Sequence, residues 1–542
     1  MSKTPVISIV LNAHLPFISF TGSQPGTPAP EELRLFEALT ETYIPLLGVF
    51  DRLDADHIPF RMAIALSPTL CQMLSDPALI RRYLAYVDRQ IEFGAGECER
   101  TSRDSGTGPL ARMFYDQMVD KRILFTERYE GNILKTLDYF QRKGRLELLT
   151  TAATYAFLPF YTSCPEAVQA QLEAALASYR KIFGANPQGF WLPELGWSPE
   201  LDRCLRAYNF GYTIVESHGV LAGNPPKGRG TFYPLMTPSR LLIVARDYYA
   251  RRDLCGEDGG RAEGCRGFAR DPRYLDYDKD AGYELPIELV RRFIGTREGR
   301  ARTGCRYWTI GAGCADRQVY DPARAQEQAS VQAHAFLDGR ITRLKRAGEL
   351  MEEIPISLCA YEADAFGGRW YEGPLFLEAL FREGVRREGE FRFMNPAEYL
   401  YKLERESFRT QTPEFSSWGA NGYAETWLDA SNDWMYRYVM RSLDRMVELA
   451  ERFPNETGLK ERALNQAARE ILLAQASDWP RLLYKQEARS FARAQAEDTL
   501  RNFTTIYESL GSNYISTEWL TSLERRHHCF PGLNYRMFRR KR

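Results

Sequence analysis

The sequence has no excess charge of either sign: 71 Lys and Arg balance 71 Asp and Glu across 542 residues. A chain without a basic surplus is not built for non-specific binding to nucleic acid or to an anionic membrane surface. No apolar run approaches the ~20 residues that cross a bilayer. The opening stretch, MSKTPVISIVLNAHLPF, has one Lys and an apolar run broken by Asn12 and His14. A signal peptide needs a longer apolar core and a small-residue cleavage site, so this reads as a first strand and the protein as cytoplasmic. The ten cysteines contain no CxxC pair and read as free thiols. The six histidines form no HxH or HxxxH pair, which argues against a catalytic metal; no cofactor is expected. Internal repeats, low-complexity tracts and a flexible linker are also missing.

What is abundant is aromatic surface, 30 Tyr, 30 Phe and 9 Trp. Most of it fills cores, but flat rings also stack on sugar faces. Short apolar or β-branched runs recur at Val6–Leu11, Phe60–Leu66, Leu146–Thr150, Phe190–Leu192, Tyr212–Val215, Leu241–Ala245 and Ile356–Cys359. Helical periodicity, as in Pro165–Phe183 and Ala323–Met351, separates them. The alternation predicts parallel strands in an α/β fold, and seven strands suit a closed or nearly closed barrel. Helical patterns at Pro77–Phe93 and Leu110–Tyr139 occupy the long gap after the second run, predicting an inserted helical subdomain. Arg251–Asp271, rich in Gly, Arg and Asp, reads as an irregular excursion. Strand runs stop near Asn395, and Leu443–Phe453, Glu461–Ala474 and Glu487–Leu510 are helical. The expected division is a barrel from 1–68 and 140–394, a helical insertion at 69–139 and an all-helical C-terminal domain at 395–542.

Barrel active sites form at the C-terminal ends of strands. Those ends carry NAHLPF (Asn12–Phe17), TTAATY (Thr150–Tyr155), WLPELGW (Trp191–Trp197), ESHG (Glu216–Gly219) and YEADAFG (Tyr361–Gly367). Glu194 sits among aromatics behind Pro193. Glu362 and Asp364 are two apart, and either could point inward. Two carboxylates across one mouth are what glycoside cleavage uses, one as nucleophile and one as acid/base.

These motifs resemble glycoside hydrolase family 57, in particular its 1,4-α-glucan branching enzymes, from Val6 to Tyr535. HLPF, GRLELLTTAATY, GFWLPELGW, YEADAFGGRWYEG (Tyr361–Gly373) and SSWGANGYAETWLDASNDW (Ser416–Trp434) look like the family's five signatures. LLAQASDWP (Leu472–Pro480) and the FPxxxYR of Phe530–Arg536 look like its helical C-terminal domain. The resemblance implies a (β/α)7 barrel, Glu194 as nucleophile and Glu362 as acid/base. It also implies sugar contacts from Asn12, His14, Tyr155, Trp191, His218, Asp364, Arg369, Trp370, Trp418, Trp427, Asp478 and Trp479. The partner expected is an α-glucan polysaccharide or maltooligosaccharide, met by a monomer or weak homo-oligomer. Branch formation by double displacement is the leading reading. A 4-α-glucanotransferase, an amylase-type hydrolase and a catalytically impaired glucan-binding protein stand beside it, because the chain departs from the family pattern. Glu362 stands where the family has aspartate, Asp364 where it has glutamate, and Gly368-Arg369 where it has His-Trp. Asn12 and Tyr155 replace histidines, and Arg229, in GNPPKGRG (Gly223–Gly230), falls near the aromatic tip of a loop over the cleft.

Overall fold

The computed structural model describes residues 4–18, 29–226, 228–255, 284–294, 302–308 and 318–541. Among the described residues nine strands follow in chain order: β1 (Val6–Ala13), β2 (Met62–Leu66), β3 (Leu146–Thr150), β4 (Gly189–Phe190), β5 (Tyr212–Val215), β6 (Leu235–Met236), β7 (Leu242–Ala245), β8 (Ile356–Glu362) and β9 (Arg392–Phe393). Most strand residues are buried, as parallel strands covered on both faces require. Hydrogen bonding gives the order β6-β7-β5-β4-β3-β2-β1-β8. A single parallel bridge, Arg246 to Leu358, joins the end of β7 to β8, with Asp247 N–H on the Leu358 carbonyl at 2.8 Å. That bridge closes seven parallel strands into a ring, the (β/α)7 barrel expected of the sequence. The antiparallel β6 pairs with β7, and β9 pairs with the first residues of β1.

The barrel interior follows from the two-residue alternation of strands. Val6 and Val10 of β1, Ala63 and Ala65 of β2, Tyr212 and Ile214 of β5, and Ile356, Leu358 and Ala360 of β8 share one buried cluster. Continuing the alternation puts Asn12 and Glu362 at the top of that interior, and the two are register partners. Lower down, Tyr212 fills space left by Gly189: a Cβ there would lie 2.3 Å from the tyrosine Cζ. The Tyr212 hydroxyl donates to Glu147 at 2.7 Å, and Ala397 N–H donates to the other oxygen at 2.9 Å.

Between β2 and β3 lie the helices Pro68–Leu74, Pro77–Arg100, Thr107–Ile123 and Ile133–Arg142. The helix expected over Leu110–Tyr139 is broken. After a π turn at Leu124–Arg128, Glu130 and Gly131 adopt positive φ, and Asn132 caps the next helix through Leu134 N–H. Of the Arg251–Asp271 excursion, the first residues extend the helix Tyr248–Cys255, and 256–271 lie outside the described residues. Beyond Asn395, after a short helix at Pro396–Tyr401, the chain is irregular to Asn432. Helices Asp433–Arg452, Gly458–Ala474, Asp478–Lys485, Arg489–Gly511 and Thr517–Arg526 follow. Among the described residues no helix is long and apolar enough to cross a membrane.

Two outcomes are expected. Gly189→Ala overpacks the barrel against Tyr212 and lowers unfolding stability by about 1–3 kcal/mol, read from urea melts. Burial pushes the Glu147 carboxyl from 4.5 up to about 7, despite its two hydrogen bonds. A group whose folded pKa is raised adds stability below its unfolded value and loses it as pH climbs through the folded one. Urea midpoints therefore fall between these two pH values in the wild type, and Glu147→Gln flattens that part of the profile.

Candidate active site

Glu194 follows the two-residue parallel strand β4 and lies in a one-turn 3-10 helix, Pro193–Leu195. Its backbone is left-handed, φ 59°, and Leu195 and Tyr155 are left-handed too. Such a conformation costs a non-glycine residue roughly 1–2 kcal/mol, so the surroundings must hold it. They do so from the C-terminal region. Trp418 N–H donates to the Glu194 carbonyl at 2.9 Å, and Trp197 and Ser416 exchange two backbone hydrogen bonds. The carboxylate is claimed on both oxygens: Trp418 Nε1–H donates to Oε2 at 2.6 Å and Ser477 Oγ–H to Oε1 at 3.1 Å. Glu194 is 4 % exposed. Burial raises its pKa, Arg481 and the Trp418 bond work against that, and Glu362 and Asp478 add to it.

Tyr155 organises the floor. Its hydroxyl receives hydrogen bonds from Asn12 Nδ2 at 2.7 Å and Trp191 Nε1 at 3.2 Å. Its ring stacks on His14 with centroids 3.8 Å apart. His14 is held between Ser67, 2.9 Å from Nδ1, and Asp478, 2.9 Å from Nε2. The Asn12 Oδ1 is buried and has no hydrogen-bond partner among the described residues.

Opposite stand Glu362 and Asp364. Glu362 ends β8; Asp364 lies in the 3-10 turn Ala363–Ala365. A single nitrogen of Arg369, Nη2, bonds both, Glu362 through Oε2 and Asp364 through Oδ1 at 2.8 Å. All three are half open to the cavity, their side chains 39 %, 49 % and 50 % exposed. Desolvation pushes the Glu362 carboxyl up, but Arg369, then Arg481 and Lys485, outweigh it and leave it below the usual range. Asp364 goes the other way, raised by desolvation and by the Glu362 charge against the pull of Arg369.

Glu194, Glu362 and Asp364 line one cavity of about 380 Å³ together with Asn12, His14, Tyr155 and Arg369. Several expected contacts are not brought to it. His218 is bonded to the Gly422 carbonyl at 2.8 Å and packs on Tyr423. Trp370 is 2 % exposed among Phe366 and Phe376, and Trp427 is 1 % exposed and stacked on Phe157. Trp479 is buried with Nε1–H on the Leu473 carbonyl. These rings support the wall rather than form its surface. Trp191 is likewise buried and reaches the site through Tyr155, while Trp418 and Asp478 touch it through Glu194 and His14. Arg229 is not over the cleft: it pairs with Glu353 and the Ser407 carbonyl and sits over Tyr233. Glu353 precedes β8, so Arg229 lies near the opposite, N-terminal face of the barrel.

Sequence reasoning passed over Ser477, Arg481 and Lys485, which the helix Asp478–Lys485 and its start supply. Arg481 lies three residues beyond Asp478, on the same helix face, and that spacing was a readable signal. Arg302, which bonds Glu41 at 3.2 Å and the Gly368 carbonyl at 2.7 Å, arrives from the long segment between β7 and β8 with no local signal. No cluster of His, Cys, Asp or Glu suited to a metal ion occurs among the described residues.

A closed seven-stranded barrel with carboxylates facing across its C-terminal mouth defines a glycoside-processing class of protein. The signature of glycosyl hydrolase family 57 matches residues 8–256, and that of the 1,4-alpha-glucan branching enzyme C-terminal region matches 438–538. The alpha-amylase AmyC from Thermotoga maritima is 31% identical, with a TM-score of 0.90 over 99% of this chain and 100% of that one. The 1,4-alpha-glucan branching enzyme TK1436 of Thermococcus kodakarensis is 27% identical, over 93% of this chain and 73% of its own length. A family 57 branching enzyme from Pyrococcus horikoshii shares the fold at 24% identity, TM-score 0.86, covering 99% and 97% of the two chains. The chain belongs to glycosyl hydrolase family 57.

Removing the Trp418 donor should shift Glu194. In protein carrying 13C-labelled glutamate, the resonance missing from Glu194→Gln titrates at higher pH in Trp418→Phe than in the wild type. An unchanged midpoint means that the bond does not stabilise the carboxylate.

Proposed function

We propose that the protein is a retaining α-1,4-glucan-active transferase whose principal reaction is α-1,6 branch formation. The observation that carries this reading is the buried Glu194, held on both carboxylate oxygens and facing Glu362 across one cavity. Its Trp418 and Ser477 bonds aim the carboxylate and favour its charged form, as a nucleophile needs. Glu194 attacks the anomeric carbon and forms a glycosyl-enzyme, while Glu362 exchanges the proton with the leaving and then the incoming oxygen. Asn12, whose Oδ1 has no partner among the described residues, holds a sugar hydroxyl beside the reacting carbon, and His14 and Tyr155 fix the floor beneath it. The likeness to TK1436, spanning 93% of this chain, and the match of the C-terminal region to branching enzymes support transfer to a 6-hydroxyl.

A second reading, amylase-type hydrolysis with water as acceptor, is favoured by the 31% identity to an alpha-amylase over nearly the whole chain. It gains weight from Arg229, which is held away from the mouth by Glu353 and the Ser407 carbonyl. The seven cysteines described are all free thiols, which suits a reducing, cytoplasmic setting.

Incubation with amylose, followed by enzymatic debranching and chain-length analysis, tests both readings. New α-1,6 branches, absent with Glu194→Gln, are the expected result. Linear shortened chains with rising reducing ends select the hydrolase. An unchanged glucan that still binds the protein overturns catalysis on glucan donors.

A further inference from the structure

Residues 302–308, part of the long segment between β7 and β8, are fastened to the helical insertion. Cys305 and Tyr307 share a buried cluster with Phe93, Leu110 and Phe114. The Tyr307 hydroxyl donates to Glu97 at 2.8 Å, and Gln90 Nε2 donates to the Arg302 carbonyl at 3.1 Å. From this anchorage Arg302 and Arg306 reach the π turn Leu39–Tyr43, where both bond Oε2 of Glu41, at 3.2 and 2.8 Å. Glu41 is 7 % exposed. Burial pushes its carboxyl up, and Arg306, Arg302 and Lys121 more than reverse this, so a paired charge is kept in the interior. π turns recur at functional sites, and this one stands beside the acid/base turn.

The contact is made from two directions. Arg302 Nη1 donates to the Gly368 carbonyl at 2.7 Å, the peptide that leads into Arg369. Arg369 N–H bonds the Asp364 carbonyl at 2.8 Å, and its side chain holds both Glu362 and Asp364. On the other side, a Cβ added to Gly367, whose φ is 101°, would overlap the Glu41 carbonyl oxygen. The 363–369 turn is thus pressed against Glu41 at one residue and tied to Arg302 at the next. Of the two arginines on Glu41, Arg302 is the one that also bonds this turn.

We propose that Arg302 is a positioning residue for acid/base catalysis: acting through the Gly368 carbonyl and Arg369, it fixes where the Glu362 carboxyl stands. The helical insertion takes part in the reaction by holding Arg302 in place. The proposal rests on the role given to Glu362 above. Breaking a glucosidic bond expels a sugar oxygen that needs a proton as it departs, whereas fluoride departs without one. Displacing Glu362 therefore slows the first reaction far more than the second. A misplacement of about an ångström can cost ~10²-fold, within the ~10²–10⁴-fold that general-acid assistance supplies.

The test measures kcat/KM, which runs through departure of the leaving group, for amylose and for α-maltosyl fluoride, each with a maltooligosaccharide acceptor. Wild type, Arg302→Gln, Arg302→Lys and Gly367→Ala are compared. Arg302→Gln should lose ~10–10²-fold on amylose and less than ~3-fold on the fluoride. Arg302→Lys, which can still donate to the Gly368 carbonyl, should recover most of the amylose rate. Gly367→Ala, which pushes the same turn from the Glu41 side, should repeat the split between donors. Fluoride turnover reports the folding of each variant. Equal losses on the two donors in Arg302→Gln mean that Arg302 supports only the fold or the shared sugar site, and overturn the proposal; an unchanged amylose rate overturns it too. A wild type inert towards both donors overturns instead the roles of Glu194 and Glu362.

Discussion

A carboxylate buried to 4 % exposure at the mouth of a barrel needs hydrogen-bond donors, and Glu194 gets none for its side chain from its own strand. Both donors, Trp418 and Ser477, come from sequence more than 200 residues later. The C-terminal region is therefore part of the site, because without it a charge would lie buried and unanswered. His14 repeats the arrangement, with Asp478 from the same helix on Nε2 and Ser67 from the barrel on Nδ1.

The barrel and the site are joined through Arg246. Its backbone makes the bridge that closes β7 onto β8. Its guanidinium pairs with buried Glu216 at 2.6 Å, donates to the Ala360 carbonyl at 3.1 Å and lies over Trp418, 5.5 Å from the ring centre. Trp418 is the residue that grips Glu194. Ring closure, the charge at the strand ends and the orientation of the buried carboxylate thus share one set of contacts. A buried ion pair is weak evidence for stability but a good means of fixing geometry.

The mouth of the barrel is densely charged. Among the residues lining the cavity, ionised side chains outnumber aromatic ones, and Arg369 bonds two carboxylates two residues apart. The two carboxyl groups that share this guanidinium are driven apart, Glu362 below its usual range and Asp364 above it.

The strands were legible because each is a buried apolar run between helical patterns, and all seven recur in the structure. Glu194 was legible because its rigid, aromatic-flanked turn is local. The break near Gly131 was missed because an apolar helical period continues across it, while the left-handed Glu130 does not announce itself. His218, Trp370, Trp427 and Trp479 do not line the cavity: a motif marks a residue as near the site, but only packing decides whether its ring lines the wall or stands behind it. The local sequence determined the elements, their order and the strand-end position of Glu194, since period and strand-end placement are short-range properties; its role as nucleophile came from the family resemblance. The tertiary structure alone decided the closure through Arg246, the donors on Glu194 and the bridging of Glu362 and Asp364 by Arg369. Those depend on which charged groups share one low-dielectric space, and no local period encodes that.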